Sequence, residues 1–387
     1  MNKILYLFFA LFIISCGGIN KTLNSGTVNA VNYKEVLPFD YDNNFALIKV
    51  VINTKTYKFL IDTGAPTVIS TAIYETLQTT KPKYVLVVDS QGQTKTQKVT
   101  SIPELKIGNL TYINAGAIVA DLRNVFEFNC LEIDGIIGAN QMAKSFWKFD
   151  YQNKEVFITD QLENYELTTY TDSIPFSISS QKTPYVRGYV NGTAASFIFD
   201  TGYAGYIDHH DKRGALKAAV GFTRYGSSSV GLYGALDSVT TRTIKLDSLR
   251  MGSVKLNSQI INTEQVNLIG NGFMNNYDMV INWQVQKIYL KKIKEFENAP
   301  EHSFGFAFRI KENKAMVISL IEELPIDLKI GDVILSINNY DLSNLNSSNA
   351  CERYQGVDLE NIELVDVVYV RDGTKYKTTL TRTTLLE

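Results

Sequence analysis

The sequence predicts a mostly β protein: two copies of one β-rich module related as a pseudo-twofold pair of lobes, then a smaller β domain. Three observations carry this. Tyr and Phe are abundant, at 22 and 20 of 387 residues, and short Val/Ile/Thr/Tyr runs are split by Gly, Asn and Asp, which favours strands and turns. The stretch 37–158 is spelled again, in diverged form, over 173–291. After Lys291-Lys292 the repeat stops, and a charged connector containing Pro300 leads into a different pattern over 303–387. The chain is too long for one ordinary core and suits two or three.

Composition narrows the function classes. Apolar residues make up 45% and charged residues 20%, normal for a folded soluble chain. Net charge is −2 with no basic run, which argues against a nucleic-acid partner.

The first residues read as a targeting signal, 1–15. Lys3 is followed by an apolar run, Ile4 to Ile14, too short to span a bilayer. Ile13-Ile14-Ser15-Cys16-Gly17 resembles a bacterial lipobox. The resemblance implies that Cys16 becomes the lipidated first residue of a mature lipoprotein held in the cell envelope by its acyl anchor. Residues 16–36 are polar and Gly/Asn-rich and read as a flexible tether of roughly 25 Å.

Beyond Cys16 there are only Cys130 and Cys351, far apart in the chain. Their spacing does not indicate an oxidised pair, and the fold reads as one without a disulfide staple. His209, His210 and His302 are the only histidines. No Cys/His spacing suits a metal, no nucleophile elbow supports a Ser-His-Asp triad, and no cofactor is expected.

The repeat can be followed step by step. Leu37-Pro38-Phe39 returns as Ile174-Pro175-Phe176, and Leu105-Lys106-Ile107-Gly108 as Leu249-Arg250-Met251-Gly252. Ile136-Ile137-Gly138 returns as Leu268-Ile269-Gly270, and the copies close alike on Lys154-Glu155-Val156-Phe157 and Lys287-Ile288-Tyr289-Leu290. Lobe 1 spans 37–160 and lobe 2 spans 161–292. The likeness centres on a strand, then Asp-Thr-Gly, then another strand: Asp62-Thr63-Gly64 after Phe59-Leu60-Ile61, and Asp200-Thr201-Gly202 after Phe197-Ile198-Phe199. A single triplet is an ordinary turn signal. Two at equivalent points of two lobes would put paired carboxylates at a lobe interface, where clefts form.

With both triplets and both later apolar-apolar-Gly motifs, the chain resembles the aspartic protease clan, nearer its retropepsin-like branch than the pepsins, across both lobes. The resemblance implies a catalytic dyad of Asp62 and Asp200 acting on a peptide or protein substrate. Two carboxylates about 3 Å apart at an effective dielectric near 20 repel by roughly 5 kcal/mol, so they share one proton. One partner then deprotonates a water and the other hydrogen-bonds the carbonyl under attack. Thr63 and Thr201 would tie the loops across the interface, and Gly64 and Gly202 would bring N–H groups to the carboxylates. Pepsins carry a hydroxyl residue next. Here Ala65 matches retropepsins and Tyr203 matches neither, which leads us to expect raised dyad pKa values and activity toward neutral pH.

The clan covers its substrate with a β-hairpin flap. Residues Tyr84 to Thr100 alternate as a hairpin with Ser90-Gln91-Gly92 at its turn, and Ser227-Ser228 lies at the matching offset in lobe 2.

Residues 303–387 resemble a PDZ domain, a β-sandwich. Phe304-Gly305-Phe306 looks like its carboxylate-binding loop, and Ile330-Gly331-Asp332-Val333-Ile334-Leu335-Ser336-Ile337-Asn338-Asn339 like its Gly-Asp-apolar stretch. The resemblance implies binding of extended chain ends by strand addition. The sequence thus predicts an envelope aspartic endopeptidase. A catalytically degenerate peptide-binding lipoprotein is the alternative, and a purely structural envelope protein the third reading.

Overall fold

The computed structural model describes residues 6–7, 12–14, 17–77, 82–227, 229–235, 239–296 and 300–387. Most of the leader, Cys16 and Ser228 lie outside the described residues. The chain is mostly β, with two lobes built alike and a third β domain.

Each lobe opens on a tight hairpin. In lobe 1, Phe45–Ile52 and Lys55–Asp62 pair antiparallel around Asn53-Thr54, both at positive φ. In lobe 2, Pro184–Val190 and Thr193–Phe199 pair around Asn191-Gly192, again both at positive φ. Two consecutive left-handed residues match the twist of the strands they join. The repeated Ile107-Gly108 and Met251-Gly252 are a second pair of turns. They join Thr94–Ile107 to Leu110–Val119 and Val239–Met251 to Val254–Thr263, with Gly108 at φ 57° and Gly252 at φ 56°.

The third repeated motif lies beside the first. Gly135–Gly138 runs parallel to Lys55–Asp62, with Gly138 opposite Asp62. Leu268–Ile269 runs parallel to Thr193–Phe199, with Ile269 opposite Phe199. Contact between backbones explains the glycine: a Cβ on Gly138 would sit 2.4 Å from the Thr67 nitrogen, deep inside van der Waals contact.

One sheet joins the lobes. Its strand order is Lys34–Pro38, Glu155–Thr159, Phe146–Asp150, Tyr277–Asn282, Lys287–Lys292, Asp172–Ile178, all antiparallel. The pseudo-twofold runs through its centre, between Phe146–Asp150 and Tyr277–Asn282. One hydrophobic cluster, including Trp147, Phe149, Phe197, Phe199 and Ile281, spans both lobes. Breaking the lobes apart would therefore expose core, at about 25 cal/mol per Å² of apolar surface.

Two sequence expectations are corrected. The segment read as a tether is built into lobe 1 from Gly17 onward. Gly17–Leu23 is a helix, Thr27–Val28 pairs with Tyr112–Ile113, and Leu23 is fully buried. Asn140 holds the helix end by donating from Nδ2 to the Leu23 and Gly116 carbonyls, at 2.6 and 2.9 Å. Polar composition concealed this because a single buried leucine and long-range hydrogen bonds, not an extended apolar run, do the docking. Second, Cys130 and Cys351 form a disulfide between lobe 1 and the third domain. The short helices Phe126–Cys130 and Ala350–Gly356 bring the Cα atoms to 5.3 Å, a proximity that 221 residues of separation concealed. Closing so long a loop restricts the unfolded chain by on the order of 5 kcal/mol in the chain-entropy account.

The third domain has its own core, with Phe304, Phe306, Phe308, Val317, Ile334, Val365 and Val367 buried. Within its Gly-Asp stretch, Gly331 turns at φ 93°. Buried Asp332 receives a two-pronged bond from Arg371, at 2.8 and 2.6 Å. The planar guanidinium fits a carboxylate in this way, and the bond fastens the Lys329–Asp332 turn to the strand Leu364–Arg371. Among the described residues, no helix is long and apolar enough to cross a membrane.

Candidate active site

The two Asp-Thr-Gly loops meet at the pseudo-twofold. Each follows a buried strand end, Lys55–Asp62 or Thr193–Phe199, and all six residues are buried. The threonines interlock. Thr63 N donates to Thr201 Oγ1 and Thr201 N to Thr63 Oγ1, both at 3.0 Å. Each hydroxyl donates onward to the opposite strand: Thr63 to the Phe199 carbonyl at 2.5 Å, and Thr201 to the Ile61 carbonyl at 2.9 Å. Four such bonds at about 1 kcal/mol each, in a ring where each hydroxyl both donates and accepts, fix the separation of the loops.

The carboxyls stand over this ring. Asp62 Oδ1 accepts from Gly64 N at 2.7 Å and Ala65 N at 2.9 Å. Asp200 Oδ1 accepts from Gly202 N at 2.8 Å. Each Oδ2 is left over from these loop bonds. The glycines also leave room: a Cβ on Gly64 would lie 2.6 Å from Asp200 Oδ1, and one on Gly202 would lie 2.7 Å from Asp62 Oδ1. Each carboxyl thus rests against the opposite loop.

Burial lifts Asp62 well above the ordinary carboxylate range, with the Asp200 charge the second cause and the Gly64 and Ala65 N–H bonds pulling it down. Burial likewise pushes Asp200 up to about 7, opposed by its bonds to Asp62, Gly202 and Gly64. The two form one titrating pair. Desolvation is the first cause; the missing hydroxyl invoked from Ala65 and Tyr203 is not needed for the raised values.

The loops differ after the glycines. Ala65 N reaches the Asp62 carboxylate, whereas Tyr203 N donates to the Asp200 backbone carbonyl at 3.2 Å. Tyr203 is itself core, packed with Ile198 and Leu268. Near it is Asp208, a third buried carboxyl that burial raises well above the usual range, helped by Glu264 and opposed by Tyr203 and Asn262. In lobe 1 the position opposite the matching apolar residue, Ile136, is Val68; in lobe 2 Asp208 stands opposite Leu268.

Both predicted hairpins are present. Lys83–Val88 and Thr94–Ile107 pair around a turn that holds Ser90, Gln91 and Gly92. Gly221–Gly226 pairs with Val239–Met251, and Ser227 follows directly. Sequence reasoning missed what joins them. Buried Asp89 accepts from Gln91 N and Gln93 N in its own turn, and from Tyr233 N of the other hairpin at 2.9 Å. Gln91 Nε2 donates to Ser229 Oγ at 2.7 Å, and Gln97 Nε2 to the Tyr233 hydroxyl at 3.2 Å. An acidic residue just before a Ser-Gln-Gly turn was the available signal. Asp89→Ala should loosen the joined hairpins and lower kcat/KM on peptides by roughly 10- to 100-fold, from loss of hydrogen bonds to a charged group worth about 1.5–3 kcal/mol. Asp89→Asn, which keeps the acceptor oxygen, should recover part of it. Equal kinetics in wild type and Asp89→Ala would rule out the carboxylate as the tie.

Two asparagines were also missed. Asn140 Oδ1 accepts from Thr67 N at 2.8 Å, and Asn271 Nδ2 donates to the Thr201 carbonyl at 2.6 Å. Asn140 stands two residues after Gly138 and Asn271 directly after Gly270, so they are not equivalent positions and the repeat did not single them out. Phe304 and Phe306 are buried in the third domain, and Gly305 N donates to Ser303 Oγ at 3.0 Å.

Residues 48–140, which hold the first triplet, Ile136-Ile137-Gly138 and the first hairpin, match the family model described as aspartyl protease. The match supports an aspartyl protease family and, with it, a hydrolase acting on peptides. No curated protein matches the chain.

Proposed function

We propose that the protein is an aspartic endopeptidase with Asp62 and Asp200 as its dyad, anchored in the bacterial envelope through Cys16. The observation that carries this reading is the reciprocal seating of the two carboxyls, each bonded to its own glycine loop and resting against the other's. The pair holds one proton. Its ionised member takes a proton from a water as that water attacks the scissile carbonyl, and its protonated member donates to the carbonyl oxygen.

An extended substrate suits the hairpins. Phe12–Ile14 lies antiparallel to Leu86–Val88, and Tyr6–Leu7 lies parallel to Ser229–Val230, so both hairpin edges accept extended chain by strand addition. With Gly17–Leu23 docked on lobe 1, an acyl group on Cys16 would hold the lobes close to the bilayer. The degenerate, binding-only reading draws on one observation, the turning of Tyr203 N away from the Asp200 carboxylate.

Digestion of a peptide library from pH 3 to 8, read by mass spectrometry, separates the two. Cleavage that persists to neutral pH is expected, since burial raises both carboxyls and so shifts the window of the singly protonated pair upward. An optimum below about 3.5, near the unperturbed range for Asp, would contradict the raised pair. Peptide capture without cleavage at every pH would favour the binding protein.

A further inference from the structure

The third domain touches both lobes, and each contact uses a different edge. Its strand Lys314–Ile321 extends the lobe 2 hairpin: Arg224, Tyr225 and Gly226 pair antiparallel with Ile321, Leu320 and Ser319. Ser227 N continues the ladder to the Ile318 carbonyl at 2.9 Å, and Glu322 N returns to the Thr223 carbonyl at 3.0 Å. Glu323 caps the end by accepting from Thr223 N through both oxygens, at 2.8 and 2.9 Å. Gly226, at φ 112°, permits the approach, since a Cβ there would lie 2.8 Å from Ser319 Cα.

The other contact fills a groove. The strand Phe306–Lys311 pairs along one edge with Lys314–Ile321. Across from it stands the helix Ala350–Gly356, which meets it through Phe308 and Tyr354 with ring centroids 5.7 Å apart. Between them sits the lobe 1 helix Phe126–Cys130. Phe126 packs edge-on to Tyr354 at 5.4 Å and joins the third domain's core. Glu127 receives Arg309 Nε and Nη2, both at 2.7 Å, in a pair only 13% exposed on each side. Cys130 is bonded to Cys351 of the helix. Apolar, ionic and covalent contacts thus converge within five residues of lobe 1.

That same part of lobe 1 supports the tip of the lobe 2 hairpin. Val125 and Phe128 share a buried cluster with Val230 and Leu232. A cavity of about 260 Å³ marks the three-way junction, with Lys95 and Gln97 from one hairpin, Tyr233 from the other, Asp121 from lobe 1 and Arg309 from the third domain on its walls.

We propose that the third domain is a clasp on the lobe 2 hairpin, and that the occupant of its strand–helix groove is the chain's own Phe126–Glu127 rather than an incoming peptide end. A largely desolvated two-pronged ion pair discriminates against other occupants, because removing either partner strands a charge. The disulfide keeps the occupant at very high effective concentration. The clasp sets the mobility of this hairpin; an effect on turnover rests on the protease reading, with the hairpin acting as a flap, whereas the effect on the hairpin itself does not.

Two measurements on the full chain test it. Hydrogen–deuterium exchange of residues 221–231 should quicken about tenfold or more in Phe126→Ala/Glu127→Gln and in Cys130→Ser/Cys351→Ser. Exchange in the lobe-joining strands 146–159 and 277–292 should stay at wild-type rates, which also reports that the variants fold. Second, a library of C-terminal pentapeptides should leave the exchange of 306–311 unchanged in the wild-type chain. Unchanged hairpin exchange in both variants, or protection of 306–311 by the pentapeptides in wild type, would overturn the clasp. Neither readout needs turnover, so a chain that cleaves nothing would count against the protease reading alone.

Discussion

Asp62→Asn and Asp200→Asn should each lower kcat by about 10² to 10⁴, the range that a positioned acid or base supplies, and each should make the folded chain more stable at neutral pH. The first effect follows from the shared proton. An amide can neither take a proton from water nor give one to the carbonyl oxygen, so one substitution disables the pair. The second follows from the sign of the shifts. Both carboxyls have folded pKa values raised by burial, Asp200 from 3.8 to about 7 and Asp62 also well upward. The folded chain therefore binds protons that the unfolded chain has already released. Stability from these groups is fully present below the unfolded value and is lost as pH rises through the folded one. Asn keeps the acceptor oxygen for Gly64, Ala65 or Gly202 and removes the charge. The variants should match wild type in melting temperature near pH 3.5 and exceed it by at least about 2 °C at pH 7.5, each pK unit corresponding to about 1.4 kcal/mol. Asn variants that cleave peptides at wild-type rates would exclude the dyad. Variants that melt lower than wild type at pH 7.5 would contradict the buried, proton-holding pair.

The sequence alone does not reveal the burial that makes the dyad cost stability at neutral pH. The repeat made Asp62 and Asp200 equivalent positions, and the glycine motifs predicted where backbones come close. These are local signals, spelled out twice, and a pseudo-twofold fold displays them in register. Burial of the carboxyls depends on strands and loops that arrive from far along the chain, such as Gly135–Gly138 beside Asp62 and each glycine loop beside the opposite carboxyl. The hairpin tie through Asp89 depends on Tyr233, separated by 144 residues. The clasp depends on Arg309 meeting Glu127 and on Cys351 meeting Cys130. No periodicity encodes such meetings. Composition misled in one place: Gly17–Leu23 has few apolar residues, yet Leu23 is buried and its carbonyl is held by Asn140. Tyr203 also reads differently once folded. It marked a departure from pepsin-like spelling; in the lobe it is a core residue packed with Ile198 and Leu268.

The same alanine substitution at three glycines should separate space from backbone freedom. Gly64→Ala should abolish peptide turnover to the level of the Asn variants and destabilise the chain by several kcal/mol. Gly64 has an ordinary negative φ, so conformational freedom is not what it supplies. What it supplies is room: the new methyl would lie 2.6 Å from Asp200 Oδ1, with the carboxyl held from behind by Gly202 N at 2.8 Å. Overpacking in a rigid site costs about 1–3 kcal/mol alone. Relief requires the loops to part, which would stretch the Thr63–Thr201 ring at about 1 kcal/mol per bond. Gly202→Ala should behave alike, because its methyl would lie 2.7 Å from Asp62 Oδ1. Gly92, at the tip of the first hairpin, is the contrast. A Cβ there meets nothing within 4 Å, but its φ is 75°, so alanine should cost only about 1 kcal/mol of strain and leave the dyad working. Melting curves and peptide turnover on the three variants read both effects. Wild-type turnover in Gly64→Ala would mean that the carboxyls do not rest against the opposite loops. The single shared site would then lose its geometric basis, even with both Asp-Thr-Gly triplets intact.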